Sequence, residues 1–450
     1  MTHWIAWTFL RSAGWPRAAL LAGTTAVATA LLLVALTMLL LPSQPAEDLF
    51  VLVAQPGLRW GTAFATVLLV LPLLLMVNQV VRLGTATRER RLAALRLAGA
   101  TPAEVRRIGA VEVGFPVTVG AMAGPLVFAL LRELLGGTGI HPGYGGAALT
   151  QTLALVPKSV TPAWWQTAAV VAALAAAGVM TGALASRHLI ASPLGVSRRV
   201  GPSAPRLWGL LLVGAGLGAL AALMNGAFIG NQAMALAGIL LVVLGVVALA
   251  PWVAFRSGQR AARRTSDPAT LIAAGHLVSD PGPAGRAAAA VGAIGIVSGA
   301  AAGLEATFFF SNINRAGDPF FASFALLGVA LILVMLVTAG TLAVHAAESL
   351  VDRRRVLAAL VAAGTPVSVL REALRREAML TSMPLSVGGV LIGALGTVAI
   401  SPITNLAGLV LVCGQVTVTV GLTWAAIRIA ILAVAPRLLL ATAPANLRTE

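Results

Sequence analysis

Apolar residues run along this chain in long blocks, separated by short segments that hold nearly all of its charge. A helix that spans a bilayer needs roughly 20 apolar residues. On that scale the blocks predict ten spans, at about 18–41, 60–82, 108–131, 164–185, 207–224, 232–254, 287–310, 320–345, 378–400 and 409–430. The first follows an amphipathic lead (Trp4, Trp7, Leu10, Arg11, Arg17), and no short apolar core with a small-residue cleavage site marks it as a signal peptide. Basic residues then orient the whole. With the N-terminus placed inside, 27 of the 31 Lys and Arg residues fall in inner segments, leaving Arg59, Arg132, Lys158 and Arg315 outside. An excess of Lys and Arg marks the cytoplasmic side. The expectation is a multi-pass cell-membrane protein with both termini cytoplasmic and the lipid bilayer as its solvent.

Composition sharpens this. The 450 residues are 58% hydrophobic and 10% charged, whereas soluble domains are about 45–50% apolar and about 25% charged. A net charge of +16 would suggest nucleic acid in a soluble chain. Here the basic inner loops account for it, and no nucleic-acid partner is expected. The single cysteine, Cys413, excludes an intrachain disulfide and any cysteine-based metal centre. The single lysine, Lys158, follows no Gly-rich loop, so a phosphate-binding G-x-x-x-x-G-K-[ST] motif is absent. ATP chemistry would have to come from a partner.

Self-comparison shows an internal repeat. Arg91–Pro102 reads R-L-A-A-L-R-L-A-G-A-T-P, and Arg355–Pro366 reads R-V-L-A-A-L-V-A-A-G-T-P. Each follows an arginine cluster (Arg88, Arg90, Arg91; Arg353, Arg354, Arg355) and precedes a glutamate, Glu112 or Glu377, ten or eleven residues on. Biased Ala/Leu composition could mimic the Leu-Ala-Ala-Leu part alone, but not the shared order of Arg cluster, Gly, Thr-Pro and Glu. Leu10…Arg17-Ala18-Ala19 and Leu277…Arg286-Ala287-Ala288 extend the match upstream. The expected fold is thus all-α and integral to the membrane. Spans 1–4 (residues 1–200) and 7–10 (263–450) form two copies, joined by two central helices (201–262). An even number of intervening spans makes the copies parallel.

Each repeated stretch reads as two helices with a built break. Leu92, Leu95 and Ala98 lie at helical spacing beside a basic face. Gly99 suits a left-handed helix stop. Thr101 can cap the next helix, with Pro102 at its first position and Glu104 completing a capping box. Thr365 and Pro366 repeat the cap, with Ser368 in place of the glutamate. Such a unit could be an interfacial helix that fixes topology, or a docking element for a soluble partner.

At these residues the chain resembles the FtsX/MacB-type permease superfamily of ABC transporters. The pattern of a basic cluster, a leucine-rich stretch, Gly-Ala-Thr and a downstream Glu is met by Arg88–Glu112, and more loosely by Arg353–Glu377, which reads Ala363-Gly364-Thr365. The tails Pro193…Arg198 and Pro444…Arg448 resemble the family's repeat ends. Ten spans with two such repeats are similar to the single-chain permeases of antimicrobial-peptide resistance systems, in which one permease pairs with two copies of a cytoplasmic ATPase. The resemblance implies a non-enzymatic permease subunit with no cofactor of its own, ATP and Mg being bound by the partner ABC ATPase. It implies ATPase-coupling residues at Arg90, Arg91, Leu95, Gly99, Thr101 and Pro102, and at Arg354, Arg355, Leu360, Gly364, Thr365 and Pro366. It also implies export or extraction of an amphipathic peptide, lipid or drug. The chain departs from the family in its outer loops. The connection 311–319 is too short for the large extracellular domain of resistance permeases, and 42–59 is too short for that of MacB-type ones.

Few residues outside the loops suggest chemistry. Glu305 falls in the outer part of span 7, where a carboxylate is costly unless it meets a cavity, a partner or the headgroups; it is the candidate substrate-cleft residue. Glu112 and Glu377 are expected to open spans 3 and 9, where the helix dipole favours an anion. His345 and Glu348 have i, i+3 metal-ligand spacing, but a second such pair is missing, so no metal site is expected. His3, His141, His188 and His276 stand singly, and no catalytic constellation is found. Besides the permease reading, two alternatives stand. One is an ATP-driven transmitter of force to an envelope or sensor-kinase partner, without transport. The other is an ion-coupled secondary transporter, which would want intramembrane charges or broken helices in both halves.

Overall fold

A computed structural model describes residues 15–42, 53, 56–82, 99–136, 141–142, 148–149, 156–185, 204–224, 232–312, 319–398 and 406–443. The protein is an all-α integral membrane protein. Nine helical segments among the described residues are long and apolar enough to cross a bilayer. The fifth expected span is a shorter apolar helix of 17 residues, about 26 Å long. The chain divides into two compact units, residues 1–199 with 319–323 and residues 200–318 with 324–450. The expected central pair falls within the second.

In the first unit, α1 (Trp15–Leu40) packs against α2 (Pro56–Leu68), α3 (Val70–Arg82), α4 (Pro102–Leu135) and α5 (Trp164–Ala185). Ala30, Leu33, Ala35 and Phe128 form part of the buried cluster between α1 and its neighbours. Small residues allow the close approach of α1 and α4: a Cβ on Gly120 would fall against the Ala22 carbonyl. Thr24, Thr25 and Thr29 are buried on α1 and return their hydroxyls to carbonyls one turn back, at 2.6, 2.7 and 2.9 Å. That satisfies groups which would otherwise be bare in an apolar setting.

The second expected span is two helices. It breaks at Leu69, whose N–H bonds the Ala65 carbonyl at 3.1 Å. Pro72, three residues on, has no N–H to offer the Leu68 carbonyl, which favours a break at this place. Arg59, expected on the outer side, is buried and donates to the carbonyls of Val53 (2.8 Å), Leu41 (3.2 Å) and Pro42 (2.6 Å). It thereby ties the chain after α1 to the start of α2. The exposed Trp164 and Trp165 open α5, a position where indole rings suit a membrane–water boundary.

The second unit contains α6 (Trp208–Met224), α7 (Gln232–Arg264), α8 (Pro268–Ser279), α9 (Pro281–Asn312), α10 (Pro319–Asp352), α11 (Arg354–Ala362), α12 (Val367–Val398) and α13 (Leu406–Ala441). Its core helix is α9, which packs closely on α12 and also on α7 and α13. Ala288, Ala289, Ala290 and Val291 are fully buried. Glycine again sets the distance: a Cβ on Gly299 or Gly393 would meet the carbonyl of Val390 or Ile296. Hydroxyls cross-link the helices inside. Ser298 lies 2.7 Å from Thr419 and accepts from Gln415 at 2.8 Å, and Thr423 donates to Ser386 at 3.0 Å.

Candidate functional site

The second inner stretch is built as a helix stop followed by a helix start, and the described part of the first, from Gly99 on, as a helix start. Gly364 has φ +93° and Gly99 φ +95°, a region open to glycine at little cost. In the second stretch the stop is complete. Thr365 N–H bonds the Leu360 carbonyl and Gly364 N–H bonds the Val361 carbonyl, both at 2.9 Å. This pair of bonds is the Schellman arrangement, which uses carbonyls orphaned at a helix end. In the first stretch the start is complete. Thr101 Oγ1 accepts from Glu104 N–H at 3.3 Å, and the Glu104 carboxylate accepts from Thr101 N–H at 2.8 Å, with Pro102 opening α4. Thr365 makes no side-chain hydrogen bond among the described residues, in keeping with Ser368 standing where the first copy has glutamate.

Exposure separates these residues. Gly99, Thr101, Pro102, Arg354, Arg355, Gly364 and Pro366 are exposed, whereas Thr365 and Leu360 are half-buried. Leu360 packs beside buried Leu357 against the core that α13 contributes with Val434 and Leu438. Its position is therefore that of a residue holding α11 onto its unit, with Arg354 and Arg355 exposed on the other side. Arg90, Arg91 and Leu95 lie outside the described residues.

Behind each stretch sits a buried carboxylate. Glu112 and Glu377 do not open their helices as expected. Each lies ten residues past the first residue of α4 or α12, beyond the reach of the helix N-terminal field. The reason is that both helices begin in the amphipathic segment and run into the apolar one without a break. Glu112 pairs with Arg17 of α1 at 2.7 Å. The same guanidinium donates to the carbonyls of Val80 (3.0 Å) and Val81 (2.8 Å) at the end of α3. One side chain thus joins α1, α3 and α4.

Glu377 of α12 is held differently. His276 Nδ1, on α8, lies 2.9 Å from Oε1, while Arg353, just after α10, donates to the two carboxylate oxygens at 3.4 and 3.5 Å. His345 Nε2 of α10 stands 3.8 Å away, too far for a hydrogen bond. Beside them is a cavity of about 20 Å³, lined in part by His345, Ser349 and Thr381. Neither His345 nitrogen and not the Ser349 hydroxyl has a partner among the described residues. The cavity has room for one water molecule.

Sequence reading noted Arg17, His276, His345 and Arg353 individually but did not join them. Pairing across 24 to 101 residues leaves no local signal. The expected spans also leave 255–286 as an inner connection, although the Asp267-Pro268 pair announces α8 there. Asp267 there accepts from Thr270 N–H at 2.9 Å and from its hydroxyl at 2.6 Å, and these bonds hold the Asp267 carboxyl below its ordinary pKa.

Glu305 is half-buried on α9 and makes no ion pair among the described residues. No cluster of three or more His, Cys, Asp or Glu side chains suited to a metal is found among them. The inner stretches therefore present shaped, basic surface rather than reactive groups. In comparison with known families, residues 62–194 fit the model described as FtsX-like permease C-terminal. No curated protein matches the chain.

Proposed function

We propose, from the fit of residues 62–194 to the FtsX-like permease model, that the chain is an FtsX/MacB-type permease and the membrane subunit of an ABC transporter, driven by separate ATPase subunits. The matched residues include the first inner stretch, and that coincidence carries the reading. Family and inner surface support the same role, since a capped, exposed, basic turn ahead of a long spanning helix can receive a push and pass it on. Each inner stretch docks one ATPase, at Gly99, Thr101 and Pro102 in the first copy and at Arg354, Arg355, Gly364 and Pro366 in the second. Both lie on the cytoplasmic face, as the arginine distribution requires. The cargo is an amphipathic peptide, lipid or drug, and Glu305 contributes to its path, a role that its half-buried setting on α9 favours.

Native mass spectrometry and ATPase assays in lipid test this. One permease should retain two ATPase copies. Gly99→Val with Thr101→Ala and Pro102→Ala should reduce ATPase stimulation with the spans still folded. Adding Gly364→Val, Thr365→Ala and Pro366→Ala should abolish partner binding. Full binding after both sets of changes would place the coupling surface elsewhere. Glu305→Gln should alter transport or cargo preference with ATPase binding intact, and wild-type transport of every cargo tried would remove it from the path.

A further inference from the structure

A cavity of about 700 Å³ opens in the second unit between α7, α8 and α12. Its wall changes character from one end to the other. Arg260 and Arg264, one helical turn apart at the end of α7, line it together with Arg375 and Arg376 of α12. Met379 and Met383 follow along the same stripe of α12, each one turn further into its apolar length. The cationic end thus belongs to the arginine-rich inner segments, and the apolar end reaches toward the hydrocarbon.

The positive charge is only partly matched. Glu372 accepts from Arg375 at 2.6 Å and from Arg376 at 2.8 Å. Asp267 is engaged in capping α8 through Thr270. Arg260 and Arg264 have no carboxylate partner among the described residues, and Arg375 Nε is buried there without an acceptor. A buried donor left unmade is costly, and a phosphate oxygen is the acceptor that guanidinium groups match best. Basic pockets between spanning helices on the cytoplasmic side are suited to phosphorylated lipid headgroups.

We infer that this cavity binds a phosphate-bearing amphiphile, an anionic phospholipid of the inner leaflet, with its phosphate among the four arginines and an acyl chain along Met379 and Met383. Free phosphate shares the headgroup's chemistry but would leave the methionine end unfilled. An acidic protein segment would engage the arginines at the rim and have no use for the apolar depth. The inference stands apart from the transport reading and shares with it only the assignment of the inner side.

The test uses the full chain in nanodiscs containing phosphatidylglycerol and phosphatidylcholine, with retained lipid counted by native mass spectrometry. Phosphatidylglycerol should be retained in preference. Arg260→Gln with Arg264→Gln should weaken that retention by about thirtyfold, on the usual contribution of a surface arginine to anionic-lipid binding. Met383→Trp should weaken it with all four charges kept, and Arg263→Gln, a charge lost from the exposed neighbouring face, should leave it unchanged. Should the double variant fail to fold, Met383→Trp and Arg263→Gln decide the matter alone. Equal retention of the two lipids, or an equal loss in Arg263→Gln, would overturn the site. So would displacement by inorganic phosphate with Met383→Trp silent, which would identify a soluble anion. Binding of a partner ATPase that requires Arg260 and Arg264, with no lipid preference, would identify a protein contact instead.

Discussion

Two carboxylates occupy corresponding places in the two units and are held by different chemistry. Glu112 meets the Arg17 guanidinium at 2.7 Å, and that guanidinium also donates to two carbonyls. Glu377 is shared among His276, Arg353 and, more distantly, His345, with longer contacts from the arginine and a small polar cavity alongside. The first junction is compact and its cation is independently anchored. The second spreads one negative charge over His276 of α8, His345 of α10 and Arg353 just after α10. What the two share is the joint made, between the lead-in to a unit's core helix, the end of the following helix, and the long helix after the inner stretch. The position of the carboxylate is kept while its partners vary, which is expected if the joint matters more than the particular ion pair.

The largest effect should come from Glu377→Ala. It leaves Arg353 and two imidazoles beside an apolar core with no acceptor, and breaking a buried pair in this way costs about 3–5 kcal/mol. The measurement is the thermal unfolding midpoint of the purified chain in detergent, and an unchanged midpoint would mean that the second junction is not a structural joint. Glu112→Gln should cost less, about 1–3 kcal/mol, because Arg17 keeps the Val80 and Val81 carbonyls. If Glu112→Gln proves the more damaging, the contrast between anchored and shared cations is wrong. Smallest is Thr101→Ala, at about 0.5–2 kcal/mol for a lost N-cap. Hydrogen exchange should speed up in the first turn of α4 alone, whereas Thr365→Ala, lacking a side-chain cap bond, should leave the first turn of α12 as it was.

The spans were legible because the bilayer demands long apolar blocks, and the sequence has little else. Their ends were less so. Span 3 was expected from 108 and span 9 from 378, yet α4 begins at Pro102 and α12 at Val367. α7 likewise continues past 254 to Arg264. Hydropathy reports where lipid surrounds a helix, not where the helix stops, and basic amphipathic turns extend it into the interface. Cap signals did locate the start of α4, since Thr101, Pro102 and Glu104 adopt the arrangement their order suggests. The stop at Gly364 and the left-handed turn at Gly99 were readable for a similar reason, as a left-handed residue favours glycine. The ion-pair joints were hidden. Arg17 and Glu112 stand 95 residues apart, and only the packing of α1 on α4 makes them neighbours.

The length of α4 carries a mechanical consequence. Its 34 residues make a rod of about 51 Å, well beyond the roughly 30 Å of hydrocarbon. Glu112 pins that rod off-centre, about 15 Å from the capped end and about 35 Å from the other. Rotation about this pin turns a small displacement at Thr101 into one about twice as large near Leu135, in the opposite direction. Pro116, one turn beyond the pin, and Pro125 offer no N–H to the Glu112 and Ala121 carbonyls, so the rod is weakest at these points. If α4 is driven from its capped end, as proposed, it is a class-one lever with its fulcrum near the driven end, which trades force for travel.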